Sequence, residues 1–109
     1  MYIQCIYNIE YIRMYEWDEV KNQSNQKKHG ISFNEAVEAL KGFTINKIDN
    51  RFDYNETRVI SIGKTEYALI VTIVHTDRDG ITRIISVRKA NKLEKADYIK
   101  AYMEHEKHD

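Results

Sequence analysis

Polar residues dominate residues 17–33, yet the two ends of this stretch carry clear helix signals. Asp18 is a favourable N-cap, and Gly30 can take the left-handed conformation that closes a helix C-terminus. Basic residues occupy the last turn, where the helix dipole favours positive charge; they are Lys27, Lys28 and His29. The pattern therefore predicts a helix between Asp18 and Gly30, followed by a sharp turn.

A second helix is predicted directly after that turn. Ser32 and Glu35 form an S-x-x-E capping box, which satisfies the first free amides of a helix. Apolar residues then recur at helical spacing and predict a buried face made of Phe33, Ala36, Val37 and Leu40. Gly42 ends this helix.

The pattern becomes strand-like after Gly42. Four strands are predicted near residues 44–48, 58–62, 67–75 and 81–88, and short polar turns between them favour an antiparallel meander. Asn91 and Glu94 cap a C-terminal helix. The apolar stripe of that helix is predicted to be Leu93, Ala96, Ile99 and Met103.

This order of elements predicts an α+β fold: a short strand near residues 14–17, two helices, an antiparallel meander and a C-terminal helix. Residues 14–109 are predicted to form a single domain. Residues 1–13 are rich in Tyr and Ile and are predicted to be an N-terminal extension. The sequence leaves open whether translation starts at Met1 or at Met14.

Composition narrows the class of protein. The chain has 109 residues, and its 17 Lys and Arg balance 17 Asp and Glu, so any basic site must come from the distribution of charge rather than from net charge. Cys5 is the single cysteine and excludes an intrachain disulfide. No apolar run approaches the ~20 residues of a membrane span, and no signal-peptide pattern is present, so we expect a cytoplasmic protein without membrane contact.

Residues whose side chains could bind phosphate or transfer protons lie at or near the predicted strand ends. They are Glu56, Arg58, His75, Thr76, Arg78, Arg83, Ser86, Arg88 and Lys89. Arginine suits phosphate because its planar guanidinium makes bidentate, charge-assisted hydrogen bonds. Histidine titrates in the range needed for proton transfer. RNA can be cleaved by such groups without a metal, since its own 2′-hydroxyl attacks the phosphate.

Two alternatives stay open at this point. The presence of Lys28 and His29 is also explained by the favourable interaction between positive charge and the C-terminal end of the helix dipole. Alternation along a strand puts Ser86 and Arg88 on one face and Arg83 on the other unless a bulge intervenes, so Arg83 is also a candidate for a structural ion pair with an acidic residue.

With these residues in view, the chain resembles the BrnT family of type II toxin–antitoxin toxins, ribonucleases whose fold is similar to that of the RelE toxins. The resemblance spans about residues 14–103 and excludes residues 1–13. It is carried by residues 15–18 (YEWD), 28–33 (KHGISF), 74–78 (VHTDR) and 83–90 (RIISVRKA), with Lys21, Asn25, Ala36, Glu56, Arg58, Ile62, Gly63, Glu94 and Tyr98.

The resemblance implies a toxin that cleaves mRNA without metal or cofactor and inhibits translation. It implies catalytic roles for His29, Arg58, Arg83 and Arg88, and RNA contacts by Lys28, His75, Arg78 and Lys89, with Glu56 a weaker candidate. A BrnA-like antitoxin is the implied partner, forming a heterotetramer and supplying the only contact with DNA. The rival hypothesis is a catalytically weak or inactive antitoxin-binding module within an autorepressing complex, which the neutral net charge favours slightly.

Overall fold

The computed structural model describes residues 3–4, 14–51 and 55–107, with only the backbone described for residues 3–4. These form the elements β1 (Ile3–Gln4), β2 (Met14–Trp17), α1 (Glu19–His29), α2 (Phe33–Lys41), β3 (Ile45–Asp49), β4 (Arg58–Lys64), β5 (Ile70–Arg78), β6 (Ile81–Lys89) and α3 (Lys92–Lys107). This order confirms the predicted α+β fold. No helix in these ranges is both long and apolar enough to cross a membrane.

The N-terminal extension predicted for residues 1–13 falls mostly outside the described residues. Of that stretch the structure describes Ile3–Gln4, which pairs antiparallel with Asn46 and Ile45 of β3. The division into an extension and one domain stays a prediction.

One six-stranded sheet has the order β1-β3-β4-β5-β6-β2. The run from β3 to β6 is the predicted antiparallel meander. The strand order adds something that periodicity does not encode: β2 lies at the far edge and runs parallel to β6, with Glu16 opposite Arg83 and Trp17 opposite Ile84.

The predicted helix ends are confirmed. The Asp18 carboxylate accepts the Val20 amide at 2.9 Å, and Gly30 closes α1 at a φ of 72°, in the left-handed region that glycine adopts without strain. Ser32 Oγ accepts the Glu35 amide at 3.2 Å at the start of α2. Local capping contacts thus fix the ends of two adjacent helices.

A hydrophobic core lies between α2 and the centre of the sheet. Phe33, Ala36 and Ala39 are fully buried there against β5 and β6, whose core residues are Val71, Ile73, Ile84 and Val87. The Trp17 ring meets the Phe33 ring edge-on, with 6.1 Å between centroids, so β2 joins the same core. We call this side of the sheet the helix-covered face.

Helix α1 packs on that face through two buried asparagines rather than through an apolar stripe. The Asn25 side-chain amide donates to the carbonyls of Val87 at 2.8 Å and Ile31 at 3.0 Å, and its oxygen accepts the Val87 amide at 3.2 Å. Asn22 accepts the Phe33 amide at 2.9 Å. β2 pairs with β6 only as far as Ile84. Asn25 therefore satisfies the backbone amide and carbonyl of Val87, as a neighbouring strand would.

The stripe predicted for α3 is wrong as a core face. Leu93, Ile99 and Met103 are 71%, 44% and 58% exposed, and the helix packs through Tyr98, Ala101 and Tyr102 instead. Polar and aromatic contacts fix which side of α3 faces the sheet, and the spacing of aliphatic residues does not reveal such contacts. Tyr98 donates its hydroxyl to the Phe43 carbonyl at 3.1 Å and packs edge-on against the Phe43 ring.

We expect Asn25→Ala to lower the free energy of unfolding by about 2–4 kcal/mol, because it leaves buried polar groups of Val87 and Ile31 without partners. Urea denaturation measures the difference. Gln23→Ala on the exposed side of α1 is the matched control and should change stability by less than about 0.5 kcal/mol. Equal stability of the two variants would contradict this role for Asn25.

Burial, with the neighbouring Tyr102 adding to it, raises the pKa of Tyr98 to about 12. The folded state therefore retains a proton that the unfolded state releases near pH 10, so stability present below pH 10 is lost as pH rises through the folded pKa. Between pH 10 and pH 12, Tyr98→Phe should lose about 2 kcal/mol less stability than the unmodified chain. Tyr67→Phe, at a side chain 79% exposed, should follow the unmodified chain, and an identical response of both variants would refute the assignment.

Candidate functional site

A β-bulge in β6 decides which side chains share a face. Val74 pairs with Ser86, whereas the next residue, His75, pairs with Ile84, so Ile85 has no partner on β5. Ile84 and Val87 are three residues apart and yet both lie in the core on the helix-covered face. One extra residue therefore reverses the alternation within the strand.

The bulge decides the placement of the arginines, which the sequence left open. Regular alternation puts Arg83 and Arg88 on opposite faces, but each neighbours a core residue of the helix-covered face, Ile84 for Arg83 and Val87 for Arg88. Both arginines therefore lie on the opposite side of the sheet, which we call the open face. Ser86 lies there with them.

Two further arginines belong to the open face. Arg58 shares a side of β4 with Ile62, which contacts Tyr98 of α3 on that face. Arg78 lies at the end of β5, opposite Ile81. Since α3 packs over Ile45 and Ile62, it leaves the part of the face nearer β6 and β2 uncovered.

A cavity of about 430 Å³ opens on this face beside the turn between β5 and β6. It carries both signs of charge, with a lining that includes Glu16, Glu56, Thr76, Arg78, Asp79 and Arg83. Arg78 and Arg83 can present N–H donors to an anion, while Glu16 and Glu56 can accept a proton. The cavity thus combines anion recognition with candidate bases.

Three of the four open-face arginines have a glutamate partner. Arg83 lies 3.6 Å from Glu16, which confirms the acidic partner considered from the sequence, and Arg58 lies 3.4 Å from Glu56. The side chains of Arg83 and Glu16 are 48% and 52% exposed, so this pair is held weakly and its arginine stays accessible to an external anion.

Arg88 is held more firmly. Its two terminal nitrogens donate to both carboxylate oxygens of Glu94 at 2.8 and 3.0 Å, in the fork geometry of a bidentate pair. Burial works to raise the pKa of Glu94, but the hydrogen bonds from Arg88 and from the Asn91 amide outweigh it and hold the pKa below its ordinary value. Glu94 also closes the capping box of α3, since the Glu94 amide donates to Asn91 at 2.8 Å.

His75 lies apart from this cavity, on the helix-covered side of β5. It is 5% exposed, with Nε2 2.7 Å from Ser61 Oγ and Nδ1 2.8 Å from the Asp77 carboxylate. The geometry resembles a Ser-His-Asp relay, but Ser61 is fully buried and no substrate can reach it. Its burial suits an internal role for His75 better than the predicted contact with RNA.

The structure does not bring Lys28, His29 and Lys89 to the open face. Lys28 and His29 belong to the last turn of α1, which packs on the helix-covered side. Lys89 pairs with Val71, a core residue of that side. The four arginines thus converge on one face and these three residues lie behind it.

Glu16 is the site residue that sequence reasoning missed. Among the sequence patterns described above, it belongs only to the YEWD motif. It enters the site because β2 runs parallel to β6 and sets Glu16 opposite Arg83. A contact between residues so distant in sequence leaves no local signal.

Comparison with known proteins places the chain in a family. The model of a family described as the ribonuclease toxin BrnT of type II toxin–antitoxin systems matches residues 17–94. A search of curated proteins finds no match.

One solved structure with the same fold is the crystal structure of the Brucella abortus ribonuclease toxin BrnT. It has a TM-score of 0.55 and 24% sequence identity, and the match covers 74% of this chain and all of the other. At this identity the match establishes the fold.

Glu94→Gln should lower stability at pH 7 by about 1–3 kcal/mol, since it removes the charged partner of Arg88. The pKa of Glu94 is depressed in the folded state, so its contribution is present above pH 4.5 and is lost as pH falls through the folded pKa. The difference between the unmodified chain and Glu94→Gln should therefore shrink as pH falls below 4.5 in urea denaturation. Glu104→Gln, at an exposed carboxylate, is the control, and a pH-independent difference for Glu94→Gln would contradict the assignment.

Proposed function

We propose that this chain, which belongs to the BrnT family of ribonuclease toxins of type II toxin–antitoxin systems, is a metal-independent endoribonuclease that cleaves mRNA and inhibits translation. A type II toxin has a cognate antitoxin. For this chain we propose a BrnA-like protein that neutralises it in a heterotetramer and provides the contact with DNA.

The observation that carries the proposal is the shared open face of Arg58, Arg78, Arg83 and Arg88. Counting four steps across the bulge, Arg83 and Arg88 are about 13 Å apart along β6, a span that a short stretch of single-stranded RNA covers. Guanidinium groups along such a strip can contact successive phosphates while keeping their charge at any physiological pH. A neutral chain can therefore present a cationic track on one face.

The cavity supplies the groups for the chemical step. A carboxylate, Glu16 or Glu56, removes the proton from a ribose 2′-hydroxyl, and that oxygen attacks the adjacent phosphorus. Arg83 and Arg78 stabilise the charge that builds on the phosphate oxygens. The bond from phosphorus to the 5′-oxygen then breaks, leaving a 2′,3′-cyclic phosphate. The departing oxygen takes a proton from water, and the carboxyl releases the proton that it took from the 2′-hydroxyl to the solvent.

The other residues named from the sequence fit this scheme unequally. Arg58 orients Glu56 through their ion pair, and Arg88, whose Nε is not engaged by Glu94, can donate to a neighbouring phosphate. Lys28, His29 and Lys89 can act only on RNA that continues past the end of β6 to the helix-covered side. For His29 we therefore propose a contact to RNA rather than proton transfer at the cavity.

One observation favours the second candidate function, an inactive antitoxin-binding module. Arg58, Arg83 and Arg88 each have a glutamate within the chain, so their charges are already compensated without RNA. In that case the open face would be a stable ion-pair network, and the chain would act through its antitoxin complex alone.

Expression of the chain without an antitoxin separates the two functions. We expect growth arrest and cleaved RNA from the unmodified chain, and a loss of cleavage of about 10²- to 10³-fold in Arg83→Ala. Arg83→Lys should keep most of the RNA affinity but lose rate, because lysine cannot reproduce the bidentate fork.

Lys27→Ala, on the exposed side of α1, is the matched control and should cleave RNA normally. Each variant is compared at equal folded concentration by the same RNA ladder. Intact RNA and normal growth with the folded, unmodified chain would defeat the nuclease proposal in favour of the module.

A further inference from the structure

A network of polar side chains crosses the helix-covered face, on the side of the sheet opposite the cavity. It joins four neighbouring strands and consists of Asn46 on β3, Ser61 on β4, His75 and Asp77 on β5, and Thr82 on β6. We call these five residues the polar network. Ser61, His75 and Thr82 are 0%, 5% and 2% exposed, so RNA reaches none of these three side chains.

His75 occupies the centre of the polar network. Its Nδ1 lies 2.8 Å from Oδ1 of Asp77, and since an ionised carboxylate can only accept, Nδ1 carries the proton that it donates. Its Nε2 lies 2.7 Å from Ser61 Oγ. The same oxygen of Asp77 also accepts the hydroxyl of Thr82 at 3.0 Å. His75 therefore holds the Asp77 carboxylate in the orientation that bridges β5 to β6.

This bridge lies where the pairing of β5 and β6 has just been interrupted. The bulge at Ile85 disrupts the ladder, and His75 is the first residue of β5 beyond it. From there to the turn, four residue pairs join the two strands. We call this segment, residues 75–84, the hairpin end. The contact between Asp77 and Thr82 adds a side-chain link within it.

The cavity is built on the other face of the hairpin end. The residues that flank Asp77 along β5 and Thr82 along β6 all line it; they are Thr76, Arg78, Ile81 and Arg83. Successive side chains of a strand point to opposite faces of the sheet. Holding Asp77 and Thr82 together on the helix-covered face therefore sets the spacing of their neighbours in the cavity.

We propose that His75 is a positioning residue of the cavity: through Asp77 it fixes the hairpin end that carries Arg78 and Arg83. The inference rests on the proposed function in taking the cavity as the place where RNA is cleaved. His75 itself touches no substrate, and it acts on cleavage through the spacing of two guanidinium groups around one phosphate. A misplacement of about 1 Å in such an arrangement costs about 100-fold in rate.

Two substitutions separate the contacts of the two ring nitrogens. In His75→Asn the side-chain amide reaches the place of Nδ1, so a donor to Asp77 is kept and the contact with Ser61 is lost. In His75→Gln the amide reaches the place of Nε2, so the contact with Ser61 is kept and the donor to Asp77 is lost. A residue that only filled space would tolerate Gln better than Asn, because Gln is closer to His in size.

Cleavage of one defined mRNA transcript by the full chain measures the difference. Because His75 acts through Asp77, kcat should fall about 10- to 100-fold in His75→Gln and about threefold or less in His75→Asn. KM should change by less than about threefold in both variants, since Arg58 and Arg88 lie outside the hairpin end and still bind the RNA. Thermal melts set each comparison at equal folded concentration.

Asp77→Ala gives a second measurement at a side chain that is 36% exposed, where a substitution is better tolerated than at the buried histidine. It removes the acceptor through which His75 acts and should reproduce the loss of kcat seen in His75→Gln. The double variant should lose no more than either single one, because the two residues act as a unit. Asp97→Ala, at an aspartate of α3, is the matched control and should cleave as the unmodified chain does.

Amide hydrogen exchange gives a readout that needs no catalysis. Exchange within residues 76–83 should be at least about fivefold faster in His75→Gln and in Asp77→Ala than in the unmodified chain, and His75→Asn should stay close to the unmodified chain. Exchange in α3 should not change. Faster exchange spread over the whole sheet would indicate a general loss of stability and would overturn the proposal.

The kinetic results decide as well. Equal values of kcat in His75→Gln and His75→Asn, or an unchanged kcat in Asp77→Ala, would overturn the positioning role while leaving the enzyme intact. If the folded, unmodified chain leaves RNA uncleaved, the nuclease proposal fails by itself. The contrast in exchange between His75→Gln and His75→Asn then decides alone whether His75 holds the hairpin end.

Discussion

Three hydrogen bonds of one buried amide tie the first helix to β6, the strand of Arg83 and Arg88, and to the turn before α2. Asn25 binds both main-chain polar groups of Val87 and the carbonyl of Ile31, so it fixes α1, the turn before α2 and β6 relative to one another. Val87 lies two residues beyond the bulge at Ile85. The position of the bulge, and hence the direction of Arg83 and Arg88, is stabilised where β6 has no strand beside it.

This constraint separates the two faces of the sheet by chemistry. The helix-covered face buries Phe33, Ile73 and Ile84, and its polar groups are satisfied internally, as in the contacts of His75 with Ser61 and Asp77. On the open face, Arg58, Arg83 and Arg88 each lie beside a glutamate, in partly exposed pairs at Arg58 and Arg83 and in a firmer pair at Arg88. The net charge of zero is therefore compatible with a local cluster of arginines. In that cluster, phosphate can replace a carboxylate as the partner of an arginine.

Helix α3 supports the open face. Its sheet side depends on Tyr98 and on the pair between Glu94 and Arg88, so the helix and the open face are held by the same residues. Its outer side carries apolar groups that contribute little to the isolated fold.

The sequence by itself determined the elements, because caps and periodicity act over a few residues: Asp18, Gly30, Ser32 and Asn91 set helix ends that the structure confirms. It also brought Arg58, Arg83 and Arg88 forward as candidates, since residue type limits chemistry. Only the tertiary structure decided which candidates meet. Parallel pairing brings Glu16 to Arg83, and the bulge turns Arg83 to the side of Arg88. Packing through Tyr98 leaves the predicted stripe of α3 exposed. All three depend on contacts between distant segments, which no local pattern encodes.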